Sequence, residues 1–168
     1  IGKASQDKDV YTGPGISIKL SALHPRYQRS QIARVHDELY PKILDLAILA
    51  KDYNIGLNID ADEADRLEIS LEFLERLCFE PALADCKGIG FVIQAYQKRC
   101  FYVVDYIVDL AKRSRKRLMI RLVKGAYWDS EIKKAQVDGM SDYPVFTRKV
   151  HTDLSYIACA KKLLAEPD

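Results

Sequence analysis

Short apolar runs recur along the chain at intervals of about thirty to forty residues, each followed by a longer stretch whose apolar positions fall at helical spacing. That rhythm predicts strand–helix units on a parallel sheet, and four can be read. The first strand is predicted from Ile16 to Leu20, introduced by the turn residues Gly13, Pro14 and Gly15. Ser30 is the predicted N-cap of the next helix, whose apolar stripe runs Ile32, Val35, Leu39, Ile43, Leu46 and Ala50. Pro41 within it predicts a kink, or two tandem helices with proline opening the second. The second strand, Ile55 to Ile59, leads to a helix with Leu67, Leu71, Leu74 and Leu77 on one face, ended by Pro81. The third, Ile89 to Ile93, follows Gly88, and its helix turns Val104, Ile107 and Leu110 toward a core. The fourth, Leu118 to Val123, is followed by a short helix from Asp129 to Gln136, a loop from Gly139 to Pro144, and a last helix from Thr152 to Ala165 capped by Thr152.

Parallel strands joined by helices build either an open doubly wound sheet or a closed (β/α)8 barrel. The open sheet usually carries a glycine-rich phosphate loop after its first strand. Here Leu20 is followed by Ser21, Ala22, Leu23, His24 and Pro25, and no G-x-G-x-x-G occurs anywhere. The fold class is therefore read as α/β, a partial (β/α)8 barrel with about four βα units. Residues 1–12 form a leading loop and 13–168 the units of one domain, whose remaining strands lie outside this chain. A start without Met and a stop at Glu166, Pro167 and Asp168 after a helical pattern agree with that expectation. Open sheet edges in such a part favour self-association, so a homo-oligomer is expected.

Composition narrows the class without changing it. Of 168 residues, 48% are hydrophobic and 30% charged, as in an ordinary globular domain. The 26 Lys and Arg nearly balance 24 Asp and Glu and are interspersed with them, so no nucleic-acid partner is expected through this segment. The densest basic run, Lys112 to Arg117, is read as a solvated helix end rather than a phosphate patch. Four scattered cysteines and three histidines lack ligand spacing, so the cysteines are read as reduced and structural and no metal site is expected. His24 is read as a loop residue, His36 as structural on its helix, and His151 as helping to end a loop. No run reaches the length of a membrane span and no signal peptide is recognisable, which fits a cytoplasmic location.

In a barrel, ligand-facing residues cluster at the C-terminal ends of the strands. Those positions hold Lys19 on the first run, Asn58 and Asp60 on the second, Gln94 on the third, and Arg121 and Lys124 on the fourth. A lysine inside an apolar run needs a partner, because desolvating an ammonium is costly. Lys19 either forms a structural ion pair with Asp60 or serves a ligand, and Arg121 poses the same problem. Two cations on different strands with one strand-end carboxylate suit an anionic or electron-rich ligand. Gly125 and Ala126 are small enough for backbone to approach a cofactor, and Lys124 brings charge for a phosphate, although such a triplet is also common in surface turns. Tyr127 and Trp128 offer rings for stacking on a planar group or for packing.

Four strings taken together are specific: GISIKLSAL at 15–23, NIDADE at 58–63, FVIQAY at 91–96 and RLVKGAYW at 121–128. In this order and spacing they resemble the proline dehydrogenase family, and the intervening text is similar to its bifunctional branch, from about residue 13 to the end. The resemblance implies a distorted (β/α)8 barrel holding FAD, which oxidises L-proline to Δ1-pyrroline-5-carboxylate by hydride transfer from C5 to flavin N5. It implies that Lys19 faces the proline, that Asp60 closes the pocket, and that Arg121 lies near N5, where positive charge stabilises electron density arriving on the ring. Asp60 and Arg121 would be the catalytic pair and Lys19 the substrate-binding residue. Ala61, Gln94, Lys124, Gly125, Ala126 and Trp128 would match cofactor-contacting positions. It further implies a quinone electron acceptor, the remainder of the barrel and an aldehyde dehydrogenase domain in the parent protein, and peripheral attachment at the inner membrane face. The family's tyrosine and arginine pair for the proline carboxylate, and its Thr-His strand end, have no match in this chain.

Two other readings stand beside this one. Lys19 or Lys124 desolvated on a barrel strand is the setting for a Schiff-base enzyme. The chain is also readable as an inactive or partner-binding fragment.

Overall fold

A computed structural model describes residues 2–5 and 8–166. Ile1, Gln6 and Asp7 of the expected leading loop, and the Pro167 and Asp168 ending, lie outside the described residues. Four strands, β1 (Gly15–Ile18), β2 (Gly56–Ile59), β3 (Ile89–Gln94) and β4 (Met119–Val123), form one sheet in the order β1-β2-β3-β4. Strand β1 runs parallel to β2 with Ile16 beside Leu57, and β2 parallel to β3 with Asn58 beside Gly90. Consecutive strands are neighbours without the reversal of order that defines a doubly wound sheet, so the sheet advances as a barrel does. The central β3 is buried throughout, whereas β1 at one end of the sheet is largely exposed. Parallel strands covered on both faces read as continuous apolar runs, which is why the third run was the plainest in the sequence.

Seven α-helices accompany the described strands: α1 (Gly2–Ser5), α2 (Leu20–Leu23), α3 (Ile32–Asp52), α4 (Leu67–Cys78), α5 (Cys100–Ser114), α6 (Trp128–Val137) and α7 (Lys149–Leu164). All four predicted strands are present. Helix α1 lies within the expected leading loop, and Val10 just beyond it is buried. The first strand ends two residues early, because Leu20 opens α2 and is itself fully buried.

Two compact units divide the chain, one comprising the residues up to Phe91 together with Leu110–Ile120, the other Val92–Asp109 with Arg121 onward. In the first unit, α3 buries Val35, Leu39, Tyr40, Ile43, Ala47 and Ala50. A three-residue 3-10 turn, Arg29–Gln31, replaces the predicted Ser30 cap, and the cap position Gln31 makes no side-chain bond. Pro41 neither divides nor ends this helix. It sits on the exposed face, where water can take the Asp37 carbonyl that the proline leaves without an amide partner. Helix α4 buries Ile69, Ser70, Phe73, Leu74, Leu77 and Cys78, so Leu67 and Leu71 are only half-buried. The buried face is two adjacent columns wide, and the predicted stripe follows one edge of it. Tyr27 is pinned beneath by a 2.8 Å bond between its hydroxyl and Ser70 Oγ, and burial raises its pKa far above the ordinary value.

In the second unit, the first turns of α5 bury Val104 and Ile107, as the spacing predicts, together with Cys100 and Val103, and Ala135 of α6, Val145 and Cys159 of α7 are buried as well. Cys100 and Cys159 are free thiols with sulfurs 3.8 Å apart, and burial, with the neighbouring thiol next, pushes the Cys100 pKa well up. Helix α7 starts three residues before Thr152, so Thr152 is a buried residue of its first turn rather than its cap, and His151 lies inside the helix rather than ending a loop. The segment after α6 is anchored rather than loose. Gln97 and Val145 form an antiparallel bridge, Lys98 N donates to Pro144 O, and Phe146 N donates to Tyr96 O.

Candidate functional site: two clusters at the strand ends

In the first unit the β1 and β2 ends bring together the residues predicted from the pattern. The ladder continues one step past the strands, with Asp60 N donating to Ile18 O at 2.8 Å. This fixes Lys19 beside Asp60 and Ala61. Lys19 Nζ donates to Ala61 O at 2.8 Å and lies 3.7 Å from Asp60 Oδ2, while Asp60 Oδ1 accepts from Ala61 N at 3.0 Å. The expected ion pair therefore exists, but not as a buried one: the side chains are 40% and 27% exposed. Next to it, Asp62 is buried and accepts from Ser21 Oγ at 2.6 Å, an element that the sequence pattern did not single out. Asn58 leans across the β3 backbone. A Cβ on Gly90 would come within 1.9 Å of Asn58 Oδ1 and 2.8 Å of Met119 O, so glycine at 90 makes room for that amide.

In the second unit the end of β3 meets the turn after β4. Ala95 N donates to Val123 O at 2.8 Å and Tyr96 N to Lys124 O at 2.7 Å. Gln94 is buried, and its Oε1 accepts from Ala126 N at 3.0 Å. An amide whose oxygen is taken in this way offers its two N–H donors in any further contact. Gly125 has φ of 149°, and a Cβ there would meet three Tyr96 ring atoms at 2.3–2.5 Å. The sequence reading gave Gly125 to close approach by a cofactor; on the side where its Cβ would stand, the neighbour is the Tyr96 ring. Trp128 opens α6, and its Nε1 donates to Phe146 O at 2.9 Å.

Charges in this unit are paired. Lys124 Nζ lies 2.5 Å from Asp153 Oδ1 and Lys149 Nζ 2.6 Å from Asp153 Oδ2. Hydrogen bonds from the two ammonium groups hold the Asp153 pKa below the carboxylate range, and the same bond raises that of Lys124. Asp153 has no signal in the sequence beyond its place four residues after Lys149. Arg121 is exposed on β4, a terminal strand of the sheet, so the burial cost that made it conspicuous does not arise.

The remaining candidates are structural. The basic run is largely built in: Arg113 pairs with Glu75 at 3.0 Å, Arg117 stacks over Tyr11, and Lys116 is buried, donating to the Leu83 and Ala84 carbonyls. Lys116 corrects the reading of that run as wholly solvated. His24 is a loop residue, as expected, just after α2 at its C-cap, and it is buried, accepting from Arg26 N through Nδ1 and facing Glu38 through Nε2. His36 bridges Glu72 and Arg76, as its helical position suggested.

The family model of proline dehydrogenase matches residues 1–168. The chain belongs to the proline dehydrogenase family. It is 72% identical, over its whole length, to the bifunctional protein PutA of Salmonella typhimurium and 71% identical to that of Escherichia coli strain K12. A crystal structure of a proline utilization A variant from Bradyrhizobium japonicum, 53% identical, matches 99% of the chain with a TM-score of 0.97. The chain spans 13% of each of those curated relatives and 17% of that solved chain. Its α/β fold is thus part of a (β/α)8 barrel of the proline dehydrogenase type, and the family implies a flavin-dependent oxidoreductase. No helix among the described residues is long and apolar enough to cross a membrane.

Proposed function

We propose that this chain is part of the barrel domain of an FAD-dependent dehydrogenase that oxidises L-proline to Δ1-pyrroline-5-carboxylate. The observation that carries the reading is the Lys19–Asp60 pair at the ends of β1 and β2 in a chain of this family. Both side chains remain partly exposed, so an ammonium and a carboxylate stand where a zwitterionic substrate can reach them. In this reading Lys19 binds proline, Asp60 closes the pocket and holds Lys19, and Arg121 would lie near the flavin N5, where its positive charge would stabilise electron density arriving on the ring. The donor set of the second unit fits an anionic dinucleotide: the Gln94 amide, the Arg121 guanidinium, the Lys124 ammonium and the backbone at Gly125 and Ala126, with Trp128 of the same unit offering a ring. When bound there, FAD would supply the acceptor for the hydride from proline C5. The quinone acceptor, the remaining strands, an aldehyde dehydrogenase domain and self-association belong to the same proposal for the full-length protein.

A Schiff-base role for lysine is disfavoured by the same geometry. That chemistry needs a neutral amine, yet Asp60 faces Lys19 and Asp153 raises the pKa of Lys124. The test is the visible spectrum of the full-length protein with FAD, before and after anaerobic L-proline. Bleaching of a bound-flavin spectrum is expected in the wild type, and Arg121→Met and Asp60→Ala should slow it by about a hundredfold or more while leaving circular dichroism unchanged. Wild-type flavin that ignores proline, or variants that reduce it at the normal rate, would remove this assignment.

A further inference from the structure

The residue that organises the second cluster is Tyr96, which ends the FVIQAY string but carried no expected role. Its amide donates to Lys124 O, its carbonyl accepts from Phe146 N, and its ring fills the space that a Cβ on Gly125 would need. The ring is 3% exposed, and Phe146 in turn accepts from the Trp128 indole at its own carbonyl. Three segments, the β3 end, the 124–126 turn and the 144–146 segment, are thereby fixed to one side chain and its peptide. Gly125, with φ of 149°, has no side chain to hold its conformation; the flat ring against its Cα does so instead.

We infer that Tyr96 is a positioning residue for the flavin, acting through Gly125 and the 124–126 turn. The inference rests on the proposed function for the identity of the ligand and extends it to a residue that need not touch the cofactor. A turn held in one conformation before the ligand arrives loses less entropy on binding, so the effect of removing the ring falls on flavin affinity. A buried tyrosine that only packs would lower stability and leave the turn unchanged.

The experiment uses the full-length protein stripped of flavin, with Tyr96→Leu, Tyr96→Phe and, as a packing control in the same unit, Ile107→Ala. Two quantities are read: the FAD dissociation constant of the apoprotein, and hydrogen-exchange protection of the 124–126 amides without FAD. Tyr96→Leu should weaken FAD by about tenfold or more, the equivalent of about 1.4 kcal/mol, and lose protection at Ala126. Tyr96→Phe, which keeps the ring, should restore both, and Ile107→Ala should lower the melting temperature with neither change. Should Tyr96→Leu fail to fold, Gly125→Ala probes the same contact from the other side and should show the same two losses. Wild-type protein that binds no FAD would defeat the proposed function. Wild-type protein that binds FAD, with Tyr96→Leu equally tight and equally protected, would overturn this inference alone.

Discussion

The two strand-end clusters are built on the same backbone principle and held by different physics. At the β1 and β2 ends, polarity is satisfied by charge: an ammonium, two carboxylates and a serine hydroxyl meet where water still reaches the ion pair. At the β3 end and the following turn it is satisfied by shape: a buried amide accepts one backbone N–H, and a ring lies where a glycine lacks its Cβ. A solvated pair is weak in stability but adaptable, and its members can exchange one another for a ligand. A packed amide and ring are rigid, and they suit a group that stays bound. Under the proposed function, the first kind of cluster suits a substrate that must come and go, and the second a resident cofactor.

The sharpest way to break that contrast is at Gly125. Gly125→Ala puts a Cβ into the Tyr96 ring at a φ that alanine rarely adopts, and overpacking with backbone strain should cost about 3 kcal/mol. Urea unfolding of the full-length protein measures it, and a change under about 1 kcal/mol would mean that the turn yields and the cluster is not held by shape. Gln94→Leu comes next. It leaves the Ala126 N–H in place but removes its acceptor from a buried site, a loss of about 2 kcal/mol. The same denaturation curve reads it, and Gln94→Glu, which keeps the acceptor, should recover part of the loss.

How much of this was legible depended on whether a feature leaves a periodic or chemical trace. Central strands β2 and β3 were read to within a residue because burial writes nearly continuous apolar runs, interrupted in β2 by Asn58. The phase of α4 was read from its leucines, yet its buried face includes Ser70 and Cys78, which polarity alone does not assign to a core. Pro41 was expected to kink α3 or to split it into two helices, and it does not split it, because the proline faces solvent. In the clusters, Lys19 and Asp60 were visible as charges out of place, and Gln94 as a polar residue ending a buried strand. Tyr96 was visible only as the end of the FVIQAY string, without a role, and Asp153 was not visible at all. A tyrosine after a strand and an aspartate in a helix are ordinary residues, and only the fold shows what each one holds.

On the charged side the effects should be small. Lys19→Met removes one member of a half-exposed pair, so the expected loss is about 0–1 kcal/mol, even though proline affinity should fall steeply. A stability loss above about 3 kcal/mol would show that the pair behaves as a buried one and would erase the contrast between the clusters.

The smallest effect lies in the pH dependence around Asp153. Its folded pKa is depressed below the ordinary 3.8 by the bonds from Lys124 and Lys149, so the unfolded chain takes up its proton first as pH falls. The stabilisation is therefore present above 3.8 and disappears as pH drops through the lower folded value. Lys124 works at the opposite end, because its folded pKa is raised above 10.5: its share is complete below 10.5 and disappears as pH rises through the folded value. Asp153→Asn should remove both limbs together, lowering the melting temperature slightly between 3.8 and 10.5, where both shares are present in the wild type, and flattening it against pH below 3.8 and above 10.5. All three groups are on the surface, so raising the salt concentration should shrink the same two limbs in the wild type. Limbs that persist in Asp153→Asn would assign the acid and alkaline sensitivity to other pairs, Lys98 with Asp142 being the next to test, since the Asp142 pKa is lowered by the same kind of contact.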